Sequence, residues 1–290
     1  MAFFKSNKKK DSAERDAIHE ERKYLIWRNS NFFLREAYKT TRTNVQFSLA
    51  GKEGCAVIAV TSSLQSEGKS ITSLNLAMSL ADMGSRTLIL DCDLRKPKIG
   101  RLLELEAKEG LTDVLLDRKK LATAVTRISE KKTLWVLSSG RIPPNPSEML
   151  SSEAMHNLIT ELKKEYDYII LDTPPVDVVT DAMVLAPQTD GFLFAVRGGR
   201  SDRRAVAHSL GQLEYANAKV LGIVFNGSGT GGGYGYKGGY GRYGYKRYGY
   251  GRYGYGRYGY GRYGYGYGYG YGYGSNPQPY AQEAPAPDRQ

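Results

Sequence analysis

The sequence predicts an α/β fold, a parallel sheet flanked by helices, followed by a C-terminal tail of a different composition. Three observations point there. Apolar runs rich in Val, Ile and Leu alternate with stretches of helical periodicity, the pattern of a sheet built through helical crossovers. Two of those runs end in aspartate, at Asp91 and at Asp172. A third run, beginning at Ala56, leads into a small-residue loop that closes on Gly68, Lys69 and Ser70 at the start of a helical segment.

Taken in order, residues 1–30 are charged and poorly periodic, with a basic run at Lys8, Lys9 and Lys10. A solvated arm is the plainer reading, and weak attraction to an anionic membrane face is the sharper one. A helix is expected over LREAYKTTRTNVQFSLAG, with Gly51 as its stop. Glu36, Lys39 and Arg42 stand at i, i+3 and i+6, within about 120° on one helical face. That face is either solvated or in contact with a neighbouring subunit.

The stretch AVIAVTSSLQSEGKS reads as strand, loop and helix start. Such a loop turns its backbone N–H groups and the positive end of the next helix toward a polyphosphate. Ser63, Ser66, Glu67, Gly68, Lys69, Ser70 and Ile71 are the candidate nucleotide contacts. Lys69 would lie against the β and γ phosphates, and the Ser70 hydroxyl would ligate Mg2+. The general pattern has a glycine where this chain has Ser63, and serine fits if φ there is negative. An ordinary β–α turn with a surface lysine is the bland alternative. The aspartates weigh against it. TLILDCD delivers Asp91 and Asp93, and YDYIILDTPP delivers Asp172. Ligands of open parallel sheets sit beyond the carboxyl ends of the strands. A lysine, a serine and three carboxylates at that edge make a Mg-nucleotide constellation, hence a P-loop NTPase-like sheet.

Beyond Asp93, LRKPKIGRLLELEAKEGLTDVLLD is interrupted by Pro97, with short helices on either side. LWVL at 134–137 is a fourth strand. SSGRIPPNPSEML is an extended loop because of its prolines, and Ser147 with Glu148 is expected to cap a helix running to about Lys164. A short helix over VDVVTDAMVLAPQTD, a strand GFLFAV, a helix SDRRAVAHSLGQLEYANA and a last strand KVLGIVFN complete the folded part, residues 31–226. Right-handed parallel crossovers are expected throughout.

From Gly227 the chain is almost only Gly, Tyr, Arg and Lys in YGYGRYGYG-type repeats. It has nothing aliphatic to bury and reads as a disordered tail over 227–290. Eight basic residues against Glu283 and Asp288 give it +6 of the chain's net +11. No apolar run approaches the ~18 residues of a membrane span, and the N-terminus has no signal-peptide core, so a cytoplasmic protein is expected. Cys55 and Cys92 form no metal pattern, and His19, His156 and His208 are too scattered for a metal site or histidine-based catalysis.

These residues resemble the bacterial tyrosine autokinases that regulate capsule and exopolysaccharide synthesis, closest to the separate cytoplasmic form of Gram-positive bacteria. The carriers are TSSLQSEGKS, LILDCDLRKP, IILDTPP, SGRIPPNPSEML and EAYKTTRTN, in that family's arrangement, together with the tyrosine-rich end. Serine at position 63 is usual there. The resemblance implies ATP and Mg2+ as cofactors. Lys69 and Ser70 would hold phosphate and metal, Asp91 and Asp93 would serve the metal and the incoming tyrosine hydroxyl, and Asp172 would complete the Mg2+ sphere. The EAYKTTR helix would be the subunit-contact motif of a homo-oligomer, a ring being one arrangement, with Lys39 where the family usually has arginine. Replacing that planar fork by a point charge weakens bidentate pairing. A transmembrane activator, the polysaccharide co-polymerase chain, would hold the protein at the inner face of the membrane. Protein tyrosines would be the substrates, with no specific nucleic acid among the partners.

The tail would supply the acceptors: Tyr250, Tyr253, Tyr255, Tyr258, Tyr260, Tyr263, Tyr265, Tyr267, Tyr269, Tyr271 and Tyr273. Flanking glycines leave each ring accessible. A flexible coil of this length reaches roughly 45 Å, enough for transfer to or from a neighbour. Each phosphate adds about −1.5 to −2 charge, so roughly four would cancel or reverse the tail's charge. Two rival readings are an ATPase switch of the ParA/MinD kind and an RNA or single-strand binder acting through the tail. The first usually has a second lysine early in the loop, and this chain has none between Gly54 and Gly68.

Overall fold

A computed structural model describes residues 16–26, 30–105, 109–128 and 133–227. Of the solvated arm expected over 1–30, residues 1–15 and 27–29 lie outside the described residues, as do most of the tail from 228 onward and all eleven tail tyrosines named above. The part from 16 to 26 is no solvated arm: residues 16–22 are helical, Leu25 and Ile26 are buried in the core, and Asn75 holds Tyr24 O and Ile26 N–H. Seven strands form one sheet: β1 (Ala56–Ser62), β2 (Thr87–Asp91), β3 (Val125–Arg127), β4 (Leu134–Leu137), β5 (Tyr168–Asp172), β6 (Gly191–Arg197) and β7 (Val220–Asn226). Their order is β3-β4-β2-β5-β1-β6-β7. The longer helices are α1 (Phe32–Ser48), α2 (Lys69–Ala81), α3 (Glu153–Leu162) and α4 (Arg203–Tyr215).

Strands buried on both faces read as continuous apolar runs, and β1 and β2 are buried at every position. Alternate residues then serve opposite layers. Val57 and Ala59 join the core that contains Leu158 of α3 and Leu213 of α4. Ile58 and Val60 join the core that contains Val45 of α1 and Leu74 of α2. The result is three layers, helices on both faces of the sheet. β1 lies between β5 and β6, and β2 lies beside β5, all parallel. The loop after β1 and the aspartates after β2 and β5 therefore come out at one edge.

Three further local expectations are corrected. The sheet is not parallel throughout, because β3 pairs antiparallel with β4. Only three residues long and half-exposed, β3 leaves too short a pattern to read. The helix expected from Ser147 to Lys164 is two: Pro146–Leu150 and α3. Ser152, not Ser147, caps α3, accepting from the Met155 N–H, because the chain turns at Ser151 and restarts there. Helix α1 begins at Phe32, capped by Asn31, and ends at Ser48, with Gly51 at φ +85° in the turn beyond.

The loop leaving β4 is seated by close backbone contact. Leu111 N–H donates to Ser138 O at 2.7 Å and Thr112 N–H to Ser139 O at 2.9 Å. A Cβ on Gly110 would stand 2.1 Å from Gly140 N and 2.4 Å from Ser138 O. Gly110→Ala is expected to cost about 2–3 kcal/mol of stability, read from the shift of the urea unfolding midpoint.

Candidate active site

The loop between β1 and α2 is a strained turn held from outside. Gly68, at φ +94°, is the N-cap of α2, and Ser66 is left-handed at φ +65°, which costs a serine of order 1–3 kcal/mol. Ser63 is not among the positive-φ residues, so serine serves there without strain. Asn31, Ser152 and Asp202 cap α1, α3 and α4 through side chains, whereas no side chain caps α2. Its first N–H groups are free of side-chain caps, the arrangement an anion uses.

Glu67 is only 1% exposed, and its carboxylate accepts from Ser63 Oγ at 3.0 Å and Leu64 N–H at 2.8 Å. Ser201 Oγ donates to it as well. The Glu67 side chain thus braces the loop from within rather than facing a ligand. Arg197 donates to Ser66 O at 3.0 Å, and Asn226 Nδ2 to Glu67 O at 3.0 Å and Thr72 Oγ1 at 3.3 Å. A Cβ on Gly68 would come within 2.6 Å of Asn226 Nδ2, so only glycine admits that contact. Arg197 and Ser201 carried no signal in the sequence, standing more than 130 positions from the loop they hold. Asn226 was open only to a guess from its place after the last strand.

Behind the loop lie the charges. Asp91 and Asp172 face each other in the β2–β5 register, both fully buried. Lys69 Nζ is 2.8 Å from Asp93 Oδ2, 3.7 Å from Asp172 Oδ2 and 3.4 Å from Ser70 Oγ. Asp93 Oδ1 accepts from Lys96 N–H, and Asp172 Oδ1 from Ser73 Oγ, each at 3.0 Å. Asp91 Oδ2 accepts from Ile99 N–H at 3.0 Å. Asp91 Oδ1 and Asp172 Oδ2 are buried with no hydrogen-bond partner. Ile71 packs against the α1–α2 core.

Burial pushes the Asp91 carboxyl up to about 8, with the Asp172 charge beside it adding to the rise and Lys69 opposing it. Burial raises Asp172 as well. Burial works to lower Lys69, but the Asp172 and Asp93 carboxylates outweigh it and hold the amine charged. Cys92, between the aspartates, is pushed well up by burial and is no nucleophile.

Buried carboxylate oxygens without a hydrogen-bond partner, at Asp91 and at Asp172 beside Ser70, suit a hard cation. Among the described residues no three His, Cys, Asp or Glu side chains converge on one metal position. Mg2+ needs only one or two carboxylates plus substrate phosphates, so the residues fit it.

Neighbouring segments lock together around the site. Arg95 grips Asp181 with two bonds of 2.9 Å, Ser147 Oγ donates to Asp181 at 2.5 Å, and Lys96 reaches Gln65 of the loop. Of the α1 triplet, Glu36 and Lys39 form an exposed ion pair at 2.6 Å. Arg42 instead turns inward and donates to Ser79 O of α2 at 2.8 Å.

A phosphate-type loop with its lysine set among carboxylates from the next strands defines a P-loop nucleotide-binding domain. The AAA domain family matches residues 55–190. The tyrosine-protein kinase YwqD of Bacillus subtilis (strain 168) is 40% identical over 192 residues, covering 66% of this chain and 80% of that protein. The kinase domain of the Escherichia coli tyrosine kinase ETK superposes with a TM-score of 0.64 at 29% identity, covering 70% of this chain and 80% of that one. The succinoglycan biosynthesis transport protein ExoP of Rhizobium meliloti (strain 1021) is 32% identical over 229 residues, 78% of this chain but 29% of that protein. The chain belongs to the bacterial tyrosine-protein kinases. Its reaction is phosphoryl transfer from ATP to protein tyrosine, and the ATPase-switch reading gives way to it. Among the described residues no helix is long and apolar enough to cross a membrane.

Two outcomes are expected. Asp91 has a folded pKa above its unfolded value, so the folded chain holds the extra proton and loses stability as pH rises from about 4 to about 8. Thermal unfolding of the nucleotide-free protein should show that decline, and Asp91→Asn should flatten it. Glu67→Gln removes the charge that gathers Ser63, Leu64 and Ser201, and should raise the KM for ATP by about tenfold in a steady-state assay.

Proposed function

We propose that residues 31–226 act as an autokinase domain that phosphorylates the tail tyrosines of a neighbouring copy, using ATP and Mg2+. The observation that carries this is the Lys69 amine, buried among Asp93, Asp172 and Ser70 at the mouth of an uncapped helix.

ATP supplies the phosphoryl group, and Mg2+ offsets charge developing on it. The remaining work falls to the chain. Lys69 leaves Asp93 to meet phosphate, and the N–H groups that begin α2 hold the anion in line. Ser70 and Asp172 would hold the cation. A carboxylate with an ordinary pKa near ~4 cannot strip a tyrosine hydroxyl near ~10 in advance, so the proton moves late in a loose transition state. Asp91 and Asp93 share the work of orienting the hydroxyl and taking that proton: Asp91 Oδ1 has no hydrogen-bond partner, and Asp93 is released when Lys69 turns to phosphate.

Glu36 and Lys39, exposed on α1, are available to contact a neighbouring copy in a homo-oligomer, a ring among the possible arrangements, while Arg42 is committed to its own α2. The likeness to a protein named for succinoglycan biosynthesis and transport supports a role in capsule or exopolysaccharide synthesis, beside a transmembrane activator at the inner membrane face.

The test is incubation of the full chain with labelled ATP and Mg2+. Label should appear on the eleven tail tyrosines, and Lys69→Met should reduce it by roughly a hundredfold or more. Mixing the Lys69→Met chain with an active chain whose tail tyrosines are phenylalanine should label the inactive partner. Free phosphate with no labelled protein would overturn the proposal.

A further inference from the structure

A second site lies at the other edge of the sheet. A cavity of about 510 Å³ opens between β3, the start of β4 and the end of α3. Its volume falls in the range of about 300–1,000 Å³ typical of ligand pockets. Trp135 and Tyr166 meet edge to face in its lining, with ring centroids 5.5 Å apart. Arg127 stands opposite Trp135 in the β3–β4 register and holds its guanidinium 5.4 Å from the Trp135 ring centroid. Arg118 grips Glu161 through Nε at 3.1 Å and Nη2 at 2.6 Å, so that carboxylate is already offset. Lys119 and Glu165 complete the charged lining.

An aromatic wall with a basic rim selects a ligand that is both ring and anion. A ring packs on Trp135 and Tyr166 at favourable centroid distances. A phosphate takes charge-assisted hydrogen bonds from guanidinium and ammonium groups. Phosphotyrosine is the side chain that combines the two, and it is what this enzyme makes. We propose that the cavity binds the phosphotyrosine side chain, presented by the tail of a second copy of this chain.

The cavity is separate from the reacting centre. Tyr166 precedes β5 and Asp172 ends it, and the strand between Tyr168 and Asp172 spans about 13 Å. A phosphorylated tail can be held there while the nucleotide loop turns over. The reading of the tail as acceptor enters only through the ligand's source; the chemistry of the cavity stands apart from it.

The experiment uses phosphatase-treated full chain carrying Lys69→Met, titrated with a fluorescent GRYGYG peptide phosphorylated on one tyrosine. The same peptide unphosphorylated, its phosphoserine counterpart, and an unrelated phosphotyrosine peptide are the controls. The phosphotyrosine tail peptide should bind at least about tenfold tighter than each of them. Arg127→Gln should weaken it by about tenfold or more, with thermal unfolding unchanged and, in the chain that retains Lys69, autophosphorylation unchanged. Glu165→Gln should tighten it, since a carboxylate opposes an anion. Equal binding of the unphosphorylated peptide, or unaltered affinity in Arg127→Gln, would overturn the site. Weaker binding in Glu165→Gln would mark a cationic ligand and overturn it too. Equal binding of the unrelated phosphotyrosine peptide would overturn the tail as source. Should no tail label appear with ATP while the phosphotyrosine peptide still binds, the acceptor reading falls and the cavity's chemistry survives.

Discussion

The structure depends on one buried ammonium. Taking a charge out of water costs of order several kcal/mol per ion even after the protein relaxes, so Lys69 can sit inside only because Asp93 and Asp172 surround it. The carboxylates have the same need in reverse. Asp91 and Asp172 lie side by side at 0% exposure, where burial raises the proton affinity of both, the Asp172 charge adding to the rise at Asp91 and the Asp93 charge to that at Asp172. A core of that size could have carried apolar side chains at these positions with no such cost. Holding like charges together behind an uncapped helix end is a preference for function over stability, and phosphate with a divalent cation is the chemistry that reconciles those charges.

That charge cluster works only if the loop in front of it keeps its shape. Ser66 in a left-handed conformation and Gly68 in another are not favoured by the loop's own residues. They are imposed by the ends of β6 and β7, through Arg197, Ser201 and Asn226. Strain over-determined by surrounding contacts is a usual mark of a preorganised site. The Arg95–Asp181–Ser147 grip does the same for the segment after Asp93, so the aspartates and the loop are parts of one rigid edge.

Much of this was legible because it is local. Whether β1 is a strand and α2 a helix depends on residues within a turn or two, and the apolar runs before Asp91, Asp172 and Ser62 have the length and branching that buried parallel strands require. The failures were local as well, but weaker in signal. Three residues of β3 show no alternation, and the break at Ser151 has no glycine or proline to announce it. Glu67 was read as a nucleotide contact because it lies in the loop, and nothing in its neighbours says that its carboxylate points inward.

The sequence by itself determined six of the seven strands and the long helices between them, the lysine and serine after the first strand, and the aspartates that end two others, because periodicity and turn chemistry act over a few residues. Only the tertiary structure decided which aspartate the lysine meets, that Arg42 belongs to its own subunit's α2, that Glu67 is a brace, and that Trp135, Tyr166 and Arg127 enclose a cavity. Those facts come from side chains brought together across the sheet, some more than a hundred positions apart. Contacts at such separations are set by how the layers pack, and no window along the chain contains both partners.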